Sequence, residues 1–211
     1  MDLRRIREEY ENCDLIEANL NPDPIKQFKL WYSEVEAAGY LEPNAMVLST
    51  SDTEGSPNAR NVLLKEVDED GFIFFSNFMS TKASEMKQNN NVSLTFSWNQ
   101  LRRQIRIRGI SEKIPDLESD EYWKIRPRGS QIGALVSNQS NIIESREKLD
   151  LAFRAEETFW EGSTIPRPSH WGGYKVRPNF FEFWQGRPNR LHDRLCYKKE
   201  AKGWKIIRLA P

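Results

Sequence analysis

From Ala45 onward the chain is a succession of short segments in which apolar and polar residues alternate, cut apart by clusters of turn formers. A period of two turns one face of a strand toward a core and leaves the other for water or a ligand. Strands are predicted over Ala45–Thr50, Asn58–Val67 and Phe72–Ser76, separated by Asp52-Thr-Glu-Gly-Ser-Pro57 and Asp68-Glu-Asp-Gly71. Links this short join antiparallel neighbours, because a parallel crossover needs about a dozen residues or more. Val92–Trp98 and Gln104–Ile114 extend the pattern, followed by Gly173–Val176, Phe180–Gln185, Leu191–Lys198 and Trp204–Leu209. A helix is predicted from Asp23-Pro24 to a stop at Gly39, with Ile25, Phe28, Trp31, Tyr32 and Val35 at helical spacing. Further helices are predicted over Thr81–Gln88, Leu117–Ile125 and Ser145–Phe159, and Arg126–Gly133 reads as a connection. Roughly eight hairpin-linked strands with helices inserted late predict a mainly β fold, a small antiparallel barrel with peripheral helices, and not a doubly wound parallel sheet.

With 211 residues there is enough chain for one well-buried core, so residues 22–211 are expected to form a single domain. Residues 1–21 are strongly polar, offer too little apolar surface to fold alone, and read as a flexible arm or lid. Lys+Arg and Asp+Glu both number 31, so no global field would hold the protein on nucleic acid or an anionic membrane. Any anion site must be local. Cys13 and Cys196 lack the spacing of a disulfide framework or a thiolate metal site and read as reduced thiols of a cytoplasmic protein. There is no apolar run long enough to span a bilayer and no secretory h-region near Met1.

Common catalytic signatures are missing: no nucleophile elbow, Walker loop, dinucleotide fingerprint or zincin motif, and His170 and His192 are too few for a histidine metal cluster. An enzyme with this sequence would rely on a bound organic cofactor for its difficult chemistry. Phe183 to Arg194 concentrates Trp184, Arg187, Arg190, His192 and Arg194 around a Gly-Arg-Pro turn, which suits something flat and anionic. On the strand from Arg60, alternation puts Arg60, Val62 and Leu64 on one face and Asn61, Leu63 and Lys65 on the other, where Lys65 either snorkels to solvent or meets an anion. Tyr122, Arg126 and Ser130 recur every four residues, a phenol, a guanidinium and a hydroxyl suited to a phosphate monoester, although Pro127 interrupts the helix that would align them. Arg106 and Arg108 alternate with Ile105 and Ile107, and simple exposure accounts for them.

Several of these stretches together are familiar. Arg60-x-Val-Leu-Leu-Lys65, Arg126-Pro-Arg-x-Ser-Gln-Ile-Gly133, Pro168-x-x-Trp-Gly-Gly173, Phe183-Trp-Gln-Gly186, Arg190-Leu-His-Asp-Arg194 and Arg208-Leu-Ala-Pro211 resemble the pyridoxine (pyridoxamine) 5'-phosphate oxidases, in matching order from about Arg7 to the last residue. The resemblance implies an FMN-binding split β-barrel, a homodimer with two equivalent sites at the subunit interface, and oxidation of pyridoxine or pyridoxamine 5'-phosphate to pyridoxal 5'-phosphate with dioxygen. It further implies that Arg60, Asn61, Val62, Leu63, Leu64, Lys65, Phe75, Ser76, Thr81, Lys82 and Gln104 hold FMN, with Gln139, Ser140, Trp184 and Arg194 reaching it from the partner. Lys65, Tyr122, Arg126 and Ser130 resemble the substrate-phosphate clamp, Arg190, Leu191 and His192 the residues over the pyridine ring with Arg190 and His192 as the catalytic pair, and Arg7, Glu8, Glu9 and Tyr10 the closing arm. One departure is Thr81, where the family often has arginine, which implies a weaker grip on the FMN phosphate unless the Thr81 hydroxyl compensates.

Three rival readings stay in view. A nicotinamide-using flavin reductase of the same fold would not need Tyr122, Arg126 and Ser130 together. A non-catalytic pyridoxal phosphate carrier would bind product without flavin. A nucleic-acid module rests only on arginines 102, 103, 106 and 108, against zero net charge.

Overall fold

A computed structural model of the chain describes residues 14–211. Its centre is one curled antiparallel sheet of nine strands, running β2 (Pro57–Leu63), β1 (Ala45–Ser51), β5 (Asn91–Trp98), β6 (Arg103–Lys113), β7 (Trp171–Gln185), β4 (Phe72–Asn77) and β3 (Glu66–Val67). β8 (Asp193–Glu200) pairs with β7, and β9 (Gly203–Arg208) with β8. The sheet curls into the split barrel expected from the resemblance.

The long strand β7 is why the barrel splits. β6 pairs along one edge of it, from Lys113↔Tyr174 to Arg103↔Gln185. On the other edge its first half, Trp171 to Val176, pairs with β4, while its second half, Phe180 to Gln185, pairs with β8. The two strands predicted for this stretch are therefore one, running straight through Pro178. Proline has no N–H to give a ladder, and here it faces a register shift between Arg108 and Gly109 of β6, which lets the strand pass without a broken pair. Gly109 permits the approach, since a Cβ there would lie 2.3 Å from the Arg177 carbonyl oxygen.

Conversely, the single strand predicted over Asn58–Val67 is two. At Leu64 and Lys65 the chain leaves β1 for β4: Leu64 N–H donates to Asn44 O at 2.9 Å and Lys65 N–H to Ile73 O at 2.8 Å. This crossover turns Lys65 out of the sheet.

Helix α1 (Pro24–Ala37) begins as its sequence requires, with Pro24 in the first turn and Asp23 Oδ1 accepting from Ile25 N–H at 2.9 Å. Gly39, at φ 73°, ends it in the left-handed conformation that costs glycine least. Its apolar face closes the barrel, with Phe28 edge-on to Phe72 and Trp31 edge-on to Phe183. Leu48, Leu94, Phe96, Ile105, Ile107, Phe181 and Phe183 are fully buried beneath it. Each such side chain contributes roughly 1.5–3 kcal/mol on burial.

Of the predicted arm, residues 1–13, including Arg7 to Tyr10 and Cys13, lie outside the described residues. The following stretch is anchored: Leu15 and Leu20 enter the main core, Leu15 N–H donates to Asp193 at 3.2 Å, and Tyr197 OH donates to Asn21 O at 2.7 Å.

Helices α2 (Thr81–Gln88), α3 (Asp116–Ile125) and α5 (Arg146–Phe159) fall where predicted, Ser145 capping α5 by accepting from Lys148 N–H. Between α3 and α5 the chain forms a further helix, α4 (Arg128–Val136), where a connection was expected. Pro127 there starts a helix, with Ser130 N–H donating to its carbonyl at 2.8 Å. A satellite core of Trp123, Ile132, Ile165 and Trp171 holds α3 and α4 beside β7, and Trp123 Nε1 donates to Ile165 O at 2.8 Å.

Candidate functional site

A cleft of about 400 Å³ opens between the β2–β3 crossover, the end of β4, the start of α2 and the α3–α4 pair. It is lined by Asn61, Val62, Leu63 and Lys65 on one side, by Phe75, Ser76 and Lys82 at its base, and by Tyr122, Arg126, Ser130 and Gln139 on the other. Alternation accounts for Asn61, Leu63 and Lys65 in the first wall, which the half-buried Val62 lines as well. Leu64 turns into the core and Asn61, Leu63 and Lys65 turn out to the cleft. Arg60 is not among the lining residues; it lies behind the base, donating to Leu48 O at 3.2 Å, Thr50 Oγ1 at 2.5 Å and Glu85 at 3.1 Å.

At the base, Lys82 is 8% exposed, and its ammonium donates to Gln139 Oε1 at 2.6 Å, Ser76 Oγ at 3.1 Å and Ser80 Oγ at 3.2 Å. All three acceptors are neutral. Burial, reinforced by the nearby Arg60 charge and only partly offset by Glu85, pulls its pKa down to about 8. Glu85 is already engaged by Arg60, Asn58 and Thr50.

On the far wall, Phe75, Tyr122 and Trp171 form a cluster of near-parallel rings, with Phe75 centroids 3.9 Å from Tyr122 and 5.3 Å from Trp171 and Tyr122 6.1 Å from Trp171. The Arg126 guanidinium lies 4.7 Å over the Trp171 ring, Nη2 donating to Ser130 O at 3.2 Å. Its Nε is buried with no hydrogen-bond partner among the described residues. Desolvation lowers the Arg126 pKa from its ordinary value. Tyr122, Arg126 and Ser130 thus share the cleft although no continuous helix joins them: α3 stops at Ile125, Arg126 is extended and Ser130 belongs to α4.

Gln139 and Ser140 were expected to reach the flavin from a partner subunit. They lie instead beside this chain's own Lys82 and Thr81, with Thr81 N–H donating to Ser140 Oγ at 3.2 Å. Trp171, Asn77, Gly133, Ala134 and Ser137 also line the cleft and had not been singled out as site residues. Trp171 was signalled by its Trp-Gly-Gly run, where a Cβ at Gly173 would sit 2.4 Å from Ile114 and 3.0 Å from Phe75.

The remaining expected residues are elsewhere. Gln104 and Trp184, cross-strand partners on β6 and β7, line a separate hollow with Ser97, Asn99, Arg102 and Arg103. Trp184 lies 4.7 Å from His192, and Arg194 pairs with Trp184 across β7 and β8. Arg190 and Leu191 are exposed at the tip of the turn leading into β8, Asn189 and Arg190 holding φ of 55° and 62°. Non-glycine residues in that region carry a backbone cost. His192 Nδ1 accepts from Arg187 N–H at 3.0 Å, which requires a neutral ring with its proton on Nε2. Burial, with the adjacent Arg190 charge, lowers its pKa and favours that state. His170, read from sequence as structural, meets Ala134 O at 3.2 Å and ties its loop to α4.

A protein-family model described as Pyridoxamine 5'-phosphate oxidase matches residues 33–159, and one described as Pyridoxine 5'-phosphate oxidase C-terminal dimerisation region matches residues 171–211. Pyridoxine/pyridoxamine 5'-phosphate oxidases from Rubrobacter xylanophilus and Leptospira biflexa are each 50% identical to the chain over 210 residues, spanning all of it and 97% and 99% of theirs. The crystal structure of PhzG from Burkholderia lata 383, in complex with tetrahydrophenazine-1-carboxylic acid, superposes with a TM-score of 0.89 at 28% identity over 94% of this chain and 98% of that one. A pyridoxamine 5'-phosphate oxidase-related, FMN-binding protein from Nostoc punctiforme shares the fold at a TM-score of 0.72 and 16% identity, over 89% of this chain and 98% of that one. The curled sheet is that of the split-barrel fold these structures share. Within that class, the chain belongs to the pyridoxine/pyridoxamine 5'-phosphate oxidase family and is an oxidoreductase of that type. The C-terminal match supports homodimerisation through residues 171–211.

Proposed function

We propose that the cleft takes FMN at Lys82 and the phosphate of pyridoxine or pyridoxamine 5'-phosphate at Arg126, the substrate's C4' being held against the flavin. The observation that carries this reading is the pair of buried cations in one cleft. Lys82 gives its hydrogen bonds to neutral oxygens, and Arg126 keeps a buried Nε without an acceptor. Neither has a carboxylate partner among the described residues. A desolvated cation in that condition is stabilised by an anion, and two such cations fit two phosphates.

In this reading Lys65, Tyr122 and Ser130 complete the substrate clamp with Arg126. Asn61, Val62, Leu63, Phe75, Ser76, Thr81, Gln139 and Ser140 line the flavin's bed. When bound, FMN supplies the redox chemistry, accepting a hydride from C4' at N5 and passing electrons to dioxygen to give hydrogen peroxide, with ammonia released from the amine substrate after hydrolysis. The chain's part is orientation, which is where most of the rate gain of such a transfer arises. Gln104, Trp184, Arg190, His192 and Arg194, which do not line this chain's cleft, complete the partner's cleft across the dimer. Arg190 stacks on the far face of the pyridine ring, and His192, donating from Nε2, orients the substituents near C4'. Arg7, Glu8, Glu9 and Tyr10, which lie outside the described residues, form the closing arm. Among the described residues no helix is long and apolar enough to cross a membrane. We place the enzyme in the cytoplasm, where the buried, unpaired thiol of Cys196 stays reduced.

Anaerobic titration of the FMN-loaded protein with pyridoxine 5'-phosphate tests the reading. Bleaching of the flavin absorbance that reverses in air, with one equivalent of aldehyde formed, is expected. A flavin that stays oxidised would rule the oxidase chemistry out, and bleaching only by a reduced nicotinamide would favour a reductase.

Lys82 makes a second expectation, in pH. In the folded protein without FMN it loses its proton as pH rises through about 8, whereas the unfolded chain keeps it to 10.5. Between those values the unfolded state binds more protons, so this lysine's destabilising effect fades as pH rises. FMN binding runs the other way, because the phosphate needs the ammonium. Affinity is expected to fall about tenfold per pH unit above about pH 8, a decline that Lys82→Arg should flatten. A flat profile in the unsubstituted protein would remove Lys82 from the phosphate site.

A further inference from the structure

Glu182 lies in mid-strand on β7, 2% exposed, on the sheet face that carries Gln104, Trp184 and Arg194. Cross-strand pairing sets Arg106 opposite Glu182 and Arg194 opposite Trp184, so Arg194 is diagonal to the carboxylate and within reach of it. Glu182 Oε1 accepts from Arg194 Nε at 2.8 Å, and Oε2 accepts from Arg106 Nη2. Arg194 Nη1 donates to Ala210 O at 2.8 Å, and its Nη2 donates to no described residue. The guanidinium is therefore held at Nε and Nη1, which leaves Nη2 as its outward donor.

Burial pushes the Glu182 carboxyl toward the neutral form, but the hydrogen bonds from Arg194 and Arg106 outweigh it and hold the pKa below the ordinary carboxylate range. A carboxylate flanked by Phe181 and Phe183 is a poor choice for stability alone, since apolar replacements of buried ion pairs are often as stable or more so. Its geometry suits a different task. Carboxylate oxygens fixed by two guanidiniums cannot swing, so Arg194 loses the freedom of its long side chain before any ligand arrives.

We propose that Glu182 is a positioning residue, holding Arg194 by Nε so that Nη2 of its guanidinium faces the flavin in the partner's cleft. This rests on Arg194 being a flavin contact. Arg106, at 46% side-chain exposure, serves as the second clamp on the carboxylate and does not itself reach the cofactor.

The test is a double-substitution cycle read by FMN dissociation constants, from the quenching of flavin fluorescence on adding apo-protein. Glu182→Gln is expected to weaken FMN binding roughly tenfold, within the coupling range of neighbouring groups, and to have no further effect when Arg194→Gln is already present. Equal losses in both backgrounds, or no loss from Glu182→Gln while Arg194→Gln weakens binding, would overturn the positioning role and leave Arg194 as a contact. Unchanged binding in Arg194→Gln would remove the contact itself, and the role of Glu182 with it. Should Glu182→Gln fail to fold, Glu182→Asp serves in the same cycle, keeping the charge while drawing it back by one methylene.

Discussion

Replacing Arg190 by alanine is expected to lower kcat by about a hundredfold while leaving FMN bound, the scale of loss that follows when reacting atoms are misplaced by about an ångström. Arg190 stands at the tip of the turn before β8, exposed, with φ of 62°. Two residues on, His192 is fixed by the bond from Arg187 N–H to its Nδ1 and by contact with Trp184. The tip is thus a rigid mount for an outward guanidinium, and a planar cation of that kind stacks well on a pyridine ring. None of this involves Lys82, so flavin retention and turnover should separate. Lys82→Ala should lose FMN first, and Arg190→Ala turnover first. Arg190→Lys should recover little, because an ammonium keeps the charge but not the flat face. Steady-state kinetics with flavin content measured on the same samples decides it, and an Arg190→Ala enzyme with normal kcat would end the stacking role.

The second large effect concerns two chains at once. If each site joins the cleft of one subunit to the Arg190–Arg194 strip of its partner, Arg126→Ala and Arg190→Ala homodimers should both be nearly inactive. A mixed dimer gathers both lesions into one site and leaves the other whole. Random exchange between equal amounts of the two variants makes half of the dimers mixed, so activity should recover to about a quarter of the unsubstituted enzyme. The structure motivates this directly, since the cleft is lined by Lys65, Lys82, Tyr122, Arg126 and Ser130 while Gln104 and Trp184 line a different hollow. No recovery after verified subunit exchange would mean that each chain builds its site alone.

Much of the fold was legible because its signals are local. Alternation marked most of the strands, Asp23, Pro24 and Gly39 bounded α1, and Ser145 announced α5. The errors fall where local signals conflict with pairing. Pro178 looks like an interruption, yet a register shift at Gly109 of β6 carries β7 past it as one strand. Pro127 and Gly129 look like a loop, yet burial of Ile132 against Trp123 and Trp171 makes the segment helical. In the candidate site, the direction of Asn61 and Leu63 along β2 followed from the period of two, whereas the bonds of Arg60 to Glu85 and Thr50, which set it behind the cleft's base, could not be read from its motif.

The sequence by itself determined the strand pattern, the family and the residue types of the site, because periodicity, turn chemistry and motif order are all written along the chain. Only the tertiary structure decided which of those residues meet. The neutral surroundings of Lys82, the orphaned Nε of Arg126, the placing of Gln139 within its own chain's cleft and the grip of Glu182 on Arg194 all join residues distant in sequence or set on different strands. Burial and hydrogen-bond geometry between such groups exist only once the sheet has curled, and no local pattern encodes them.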